Sequence, residues 1–90
     1  MMPVAAIRFT KGAKSDLSRL DKAVAIRIVK RIQWLGEHLD DTALLPLTGP
    51  WQSFYKLRVG DYRVLYRIER EAQTPTIIIE FVRHRREVYQ

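Results

Sequence analysis

The apolar positions of the chain follow two periods, and the change from one to the other falls near its middle. From Lys11 to Leu39 they recur every three or four residues: Ala13, Leu17 and Leu20, then Val24, Ile28, Ile32, Leu35 and Leu39. That spacing predicts a helix over about Lys11–Leu20 and a longer one over about Lys22–Leu39, each with one buried face. Before them, Val4–Phe9 alternates as a short strand does, and Thr10 stands where a helix N-cap is wanted. A loop is expected over 40–53, where Asp40-Asp41 and the Pro46, Gly49 and Pro50 cluster break both periods. Beyond it the period is two. Phe54–Val59 and Tyr62–Glu69 read as strands joined by Gly60-Asp61, a two-residue hairpin signal. Gln73-Thr74-Pro75 marks the next turn, and the β-branched run Thr76–Val82 suits a central strand. The order β-α-α-β-β-β predicts an α+β domain: an antiparallel-rich, four-stranded sheet with an N-terminal helical hairpin packed on one face. No repeat, linker or low-complexity stretch divides it, so residues 1–90 are read as a single domain.

The hairpin signal also sorts the side chains. With Gly60-Asp61 as the turn, Val59 faces Tyr62, Arg58 faces Arg63, Leu57 faces Val64 and Lys56 faces Leu65. Tyr55, Leu57, Val59, Tyr62, Val64, Tyr66 and Ile68 then share an apolar face for the helices to cover. Lys56, Arg58, Arg63 and Arg67 fall on the opposite face, where they are expected to be exposed. Like charges directly opposite one another on a sheet repel. Arg58 against Arg63 therefore suggests an anion lying between them.

Charge strengthens that reading. Sixteen Lys and Arg against ten Asp and Glu leave a formal charge of +6 and a pI near 10.1, which points to an anionic partner. Residues 1–50 carry four Lys and four Arg, whereas residues 51–90 carry Lys56 and seven Arg. Arginine's planar fork matches a phosphate; lysine is mainly a point charge. The basic side of the second helix, by contrast, reads as a solvated face. The run Arg83-His84-Arg85-Arg86-Glu87-Val88-Tyr89 follows the last strand and adds cations and a phenol beside the hairpin's basic face.

Other chemistries find little support. The chain has no cysteine, and His38 and His84 are too few and too far apart to argue for a metal, so neither metal nor cofactor is expected. The apolar start Met1–Ile7 is short and lacks the pattern of a secretory signal. No run approaches the roughly 18 apolar residues of a membrane span, so no membrane association and a cytoplasmic location are expected.

Phe54-Tyr55-Lys56-Leu57-Arg58-Val59-Gly60-Asp61-Tyr62-Arg63-Val64-Leu65-Tyr66, together with Val82–Tyr89 and the lead-in Pro46-Leu47-Thr48-Gly49 and Trp51, resembles the RelE branch of the RelE/ParE toxin superfamily. The likeness spans nearly the whole chain. It implies the toxin of a type II toxin–antitoxin pair: an endoribonuclease (mRNA interferase) that enters the ribosomal A site, cuts mRNA without a metal and so inhibits translation. The implied partners are an acidic, RelB-like antitoxin in a higher-order hetero-oligomer, the ribosome and mRNA. By the same resemblance Lys56 and Arg58 match a basic pair on the second strand, Arg63 an arginine of the third, Arg83 the arginine after the last strand and Tyr89 a tyrosine near the C-terminus. Arg67, Arg85 and Arg86 are expected to bind RNA. A branch that uses a Glu base with a C-terminal His does not transfer, because the Lys56–Arg58 strand has no acid.

RNA carries its own nucleophile, so a site must align the 2′-OH, take its proton, stabilise the phosphorane and protonate the leaving 5′-oxygen. Arg and Lys suit the charge stabilisation well and the proton transfers poorly. Lys56 is the candidate base, Arg83 the donor to the leaving oxygen, Arg58 and Arg63 the phosphorane stabilisers, and Tyr89 an orienting or stacking group. The products would be a 2′,3′-cyclic phosphate or 3′-phosphate and a 5′-OH. Two rivals stay open: a ParE-like inhibitor of DNA gyrase, and a non-enzymatic nucleic-acid-binding domain.

Overall fold

Thr10 ends one element and begins the next. The computed structural model describes residues 5–41, 44–46, 53–70 and 73–88. Strand β1 (Ala6–Phe9) stops at Thr10, whose backbone is extended and whose hydroxyl accepts the Ala13 N–H at 3.1 Å, opening helix α1 (Lys11–Ser18). Helix α2 (Lys22–Glu37) follows, and a 3-10 turn, Leu39–Asp41, takes the place of the last turn expected of it. The buried stripe is the one the period predicts: Ile28, Ile32, Leu35 and, in the turn beyond the helix, Leu39.

The strands β2 (Leu45–Pro46), β3 (Tyr55–Val59), β4 (Tyr62–Glu69) and β5 (Thr76–His84) complete the sheet, and a short helix, α3 (Arg85–Val88), follows β5 directly. Their order is β1-β5-β4-β3-β2, with β1 parallel to β5 and the other neighbours antiparallel. Four main strands are those expected. The two-residue β2 lies within the stretch read as a loop, too short to show a period, and Pro46 is tolerable there because β2 is an edge.

The β3–β4 register is the predicted one, from Val59 opposite Tyr62 to Lys56 opposite Leu65. Gly60 has φ 58° and no non-glycine residue described has positive φ, which suits a type II′ turn with glycine first. Between β4 and β5 the register slips by one residue: Leu65 pairs with Phe81 but Tyr66 with Ile79. Glu80 is the extra residue. The slip lets Val82, Ile79 and Ile77 all join the core while Arg83 and Phe81 point to the other side. Without it, strict alternation would set Ile79 on the side of Arg83.

The core lies between the helices and the predicted apolar face. Ile28, Ile32 and Leu35 pack in one cluster with Leu57, Val59, Val64, Tyr66, Ile77, Ile79 and Val82, and Tyr55, Tyr62 and Ile68 border it. Gly36 permits a close approach: a Cβ there would stand 3.0 Å from Ile7 Cδ1, and its carbonyl accepts the Ala5 N–H at 3.0 Å.

Strand β1 covers only the first part of β5, as far as Phe9 opposite Ile79. Beyond that point α1 closes the edge. Thr10 Oγ1 donates to the Glu80 carbonyl at 3.1 Å, and Asp16 Oδ2 accepts the Val82 N–H at 2.9 Å.

Gly60→Ala tests the turn. An added Cβ would meet nothing within 4 Å, so the cost is one of backbone conformation alone, about 1–2 kcal/mol. Thermal melting should fall by at least roughly 4–8 °C; an unchanged Tm would mean that the turn does not need positive φ.

Tyr66 supplies a pH test. Burial, and then the neighbouring Tyr55 phenol, push its pKa from 10.0 to about 12. Below pH 10 the phenol is protonated in both folded and unfolded chains, so its contribution is full there. Between pH 10 and 12 only the unfolded chain ionises, and stability falls. Denaturant melts at pH 9 and 11.5 should show a smaller loss in Tyr66→Phe than in the wild type.

Candidate phosphate-binding face

Two antiparallel pairings set three arginines in one row across the sheet. Arg58 of β3 lies opposite Arg63 of β4, and Arg63 opposite Arg83 of β5. The row stands on the side away from the helices, one pair short of the hairpin turn, with Lys56, Leu65 and Phe81 forming the next row.

The three are not equivalent. Arg58 is exposed, as expected. Arg63 is 4% exposed, and its Nη1 donates at 2.9 Å to the carbonyls of Gly60 and Tyr62. The expectation of an exposed cation there is corrected. The middle strand has neighbours on both sides, and the guanidinium folds back onto its own turn, where it braces the hairpin. Arg83 keeps 35% of its side chain exposed, donates from Nη1 to Asp16 Oδ1 at 2.8 Å, and lies 5.0 Å over the Phe81 ring.

The remaining sequence candidates scatter around this row. Lys56 is half-buried beside it. Arg67 is held between Glu69 at 3.3 Å and Glu80 at 3.6 Å, so much of its charge is already answered. Arg85 begins α3 with its N–H donating to the Asp61 carbonyl at 2.7 Å, which ties the end of β5 to the hairpin turn. Its guanidinium stands 3.8 Å from Asp61 Oδ1, and Arg86 is exposed. His84 meets Tyr62 edge-on at 5.4 Å and accepts the Arg86 N–H at Nδ1. Tyr89 lies outside the described residues. Among the described residues no cluster of three His, Asp or Glu could hold a metal ion, and no helix is long and apolar enough to cross a membrane.

Two features escaped the sequence reading. The first is Asp16, which is only 7% exposed. Its signal was there: an acid three residues after Ala13 and four before Leu20, on the apolar stripe of α1. The second is a shallow groove of about 400 Å³ between α2 and the hairpin tip, lined by Arg27, Lys30, Arg31, Trp34 and the 58–60 segment. The basic side of α2, read as a solvated face, is one wall of it. Trp34 carries Arg31 at 4.1 Å from its ring and stacks on His38 at 4.6 Å. Arg58 belongs both to this groove and to the arginine row.

Comparison with solved structures places this architecture among the RelE-like toxins. One similar chain comes from the RelBE2 toxin–antitoxin complex of Mycobacterium tuberculosis: it is 29% identical, with a TM-score of 0.80 over 93% of this chain and 94% of that one. Another, from the archaeal RelE–RelB complex of Pyrococcus horikoshii, is 24% identical, with a TM-score of 0.68 over 92% and 97%. A third, from the chromosomal ParDE system of P. aeruginosa, is 16% identical, with a TM-score of 0.65 over 90% and 96%. Comparison by sequence with curated proteins gives no match. The model of the ParE toxin of type II toxin–antitoxin systems matches residues 7–89. The chain belongs to that family and is a type II toxin of the RelE/ParE superfamily.

The contrast within the row can be measured. Arg63→Ala withdraws a buried donor from two turn carbonyls and should cost about 1–3 kcal/mol in denaturant unfolding. Arg58→Ala, at an exposed position, should stay within about 0.5 kcal/mol of the wild type. Equal effects would mean that Arg63 does not brace the turn.

Proposed function

We propose that this toxin is an endoribonuclease that cuts mRNA in the ribosomal A site and so stops translation in the cytoplasm. The observation that carries the proposal is the transverse arginine row, whose accessible ends, Arg58 and Arg83, flank a braced centre with Lys56 alongside. Cations placed this way favour the extra negative charge of a phosphorane. In the proposed reaction the 2′-oxygen attacks phosphorus and Lys56 takes its proton. The bond to the 5′-oxygen breaks as Arg83 donates a hydrogen bond to that oxygen, which takes a proton from water while Lys56 returns its own to solvent, leaving a 2′,3′-cyclic phosphate and a 5′-OH. Arg58 and Arg83 stabilise the charge that develops, and Arg63 works mainly by holding the row in place. Arg67, Arg85 and Arg86 contribute to RNA binding at the margin, and Tyr89 orients or stacks.

The site has no conventional acid–base pair, so orientation of the mRNA by the ribosome supplies much of the rate. The inhibitor would be an acidic, RelB-like antitoxin assembled with the toxin in a higher-order hetero-oligomer. Structural neighbours were solved as toxin–antitoxin complexes, RelB–RelE and DinJ–YafQ among them. The basic groove beside Arg58 suits acidic side chains.

A second reading is inhibition of DNA gyrase, favoured by the match to the ParE toxin family rather than to a nuclease family. The two part on one experiment. Purified toxin should cut mRNA on programmed ribosomes, cut the free transcript far more slowly, and leave gyrase supercoiling unchanged. Cleavage should persist with a chelator at levels that spare the ribosome, because the reaction draws its nucleophile from RNA. Arg58→Ala should slow cleavage by about 10²–10³-fold at unchanged Tm. Inhibited supercoiling without RNA cleavage would replace this proposal with the second reading.

A further inference from the structure

We infer that Asp16 is a positioning residue for Arg83, and that its charge, rather than its hydrogen bond to the backbone, is what the phosphate-binding face uses. The inference rests on the RNA-cleavage reading above. Asp16 and Arg83 stand 67 positions apart in the chain, yet Asp16 Oδ1 lies 2.8 Å from Arg83 Nη1. Its other oxygen, Oδ2, accepts the Val82 N–H at 2.9 Å. A carboxylate left only 7% exposed is costly unless its oxygens are bonded, and here each oxygen has its own partner.

The two bonds have different requirements. Closing the edge of β5 at Val82 calls for one acceptor, which an amide oxygen would supply. The bond to Arg83 joins opposite charges, and a neutral side chain cannot replace it. Arg83 has Arg63 directly opposite, so repulsion acts to move it out of the row. The anion on its far side draws it in the same direction and, at 2.8 Å, fixes where the guanidinium comes to rest. Held through Nη1, the planar guanidinium has its direction set, and among the described residues its Nη2 and Nε make no hydrogen bond. Those nitrogens form the edge that a phosphate oxygen would meet. Asp16 itself, buried beneath α1, does not touch the RNA in this arrangement.

The experiment compares Asp16→Asn with the wild type in RNA cleavage on programmed ribosomes, with kcat and KM separated and Tm measured alongside. The amide oxygen retains the Val82 bond, so melting should stay close to the wild type. Loss of the fixed direction should lower kcat by roughly 10²-fold with little change in KM. In an Arg83→Ala background, Asp16→Asn should cause no further loss, because the two residues act as one unit. Should Asp16→Asn melt too low to assay, Arg83→Lys asks the same question: an ammonium can pair with Asp16 but has no second planar edge. It should melt like the wild type and cleave as slowly as Arg83→Ala. Wild-type kcat in Asp16→Asn or in Arg83→Lys, or an equal additional loss in the Arg83→Ala background, overturns the positioning role and leaves the nuclease reading standing. A wild-type protein that cuts no RNA on ribosomes removes both.

Discussion

The outer edge of β5 is the constraint on which the rest depends. β5 has nine residues and its parallel neighbour β1 only four, so among the described residues the edge beyond Ile79 has no strand to pair with. Backbone groups left unpaired beside a core are expensive. Helix α1 meets the need with side chains: the Thr10 hydroxyl at Glu80 and the Asp16 carboxylate at Val82. This docking sets where the helical hairpin stands on the sheet. Because Asp16 has a second oxygen, the same contact reaches through to Arg83, on the side of the sheet away from the core. Structure and proposed chemistry meet in one carboxylate.

Charge on this molecule is better described by its engagements than by its total. Of the cations that make the chain basic, Arg63 is spent on turn carbonyls, Arg67 on two glutamates and part of Arg83 on Asp16. Arg58 is exposed and is shared by the arginine row and the groove beside α2. A ligand entering from either direction would meet it. That overlap gives a physical route by which a partner seated against α2 competes with a phosphate on the sheet, because a charge already paired and desolvated binds a second anion less well.

The RelE/ParE scaffold separates framework from activity. The helical hairpin and the sheet's apolar face form the core, while the opposite face carries the arginine row. Relatives at 16–29% identity keep TM-scores of 0.65–0.80 over nearly the whole chain. A fold held at such identities is maintained by where apolar residues fall rather than by which ones they are. Activity has to be argued from side chains, and here that means from the arginine row.

Local order was legible in the chain. The period of Ala13, Leu17, Val24, Ile28, Ile32 and Leu35 marked both helices, and Gly60-Asp61 pinned the β3–β4 register, which put Arg58 opposite Arg63. These depend on neighbours a few residues apart, and periodicity records such neighbours. The parallel pairing of β1 with β5, the slip at Glu80 that turns Arg83 away from the core, the burial of Arg63 and the Asp16–Arg83 contact depend on segments up to 70 residues apart. No local pattern encodes them. The sequence by itself determined the elements, the hairpin and the supply of cations. Only the tertiary structure decided which of those cations became braces and which remained accessible, because burial and ion pairing belong to the packed surroundings of a side chain and not to its place in the chain.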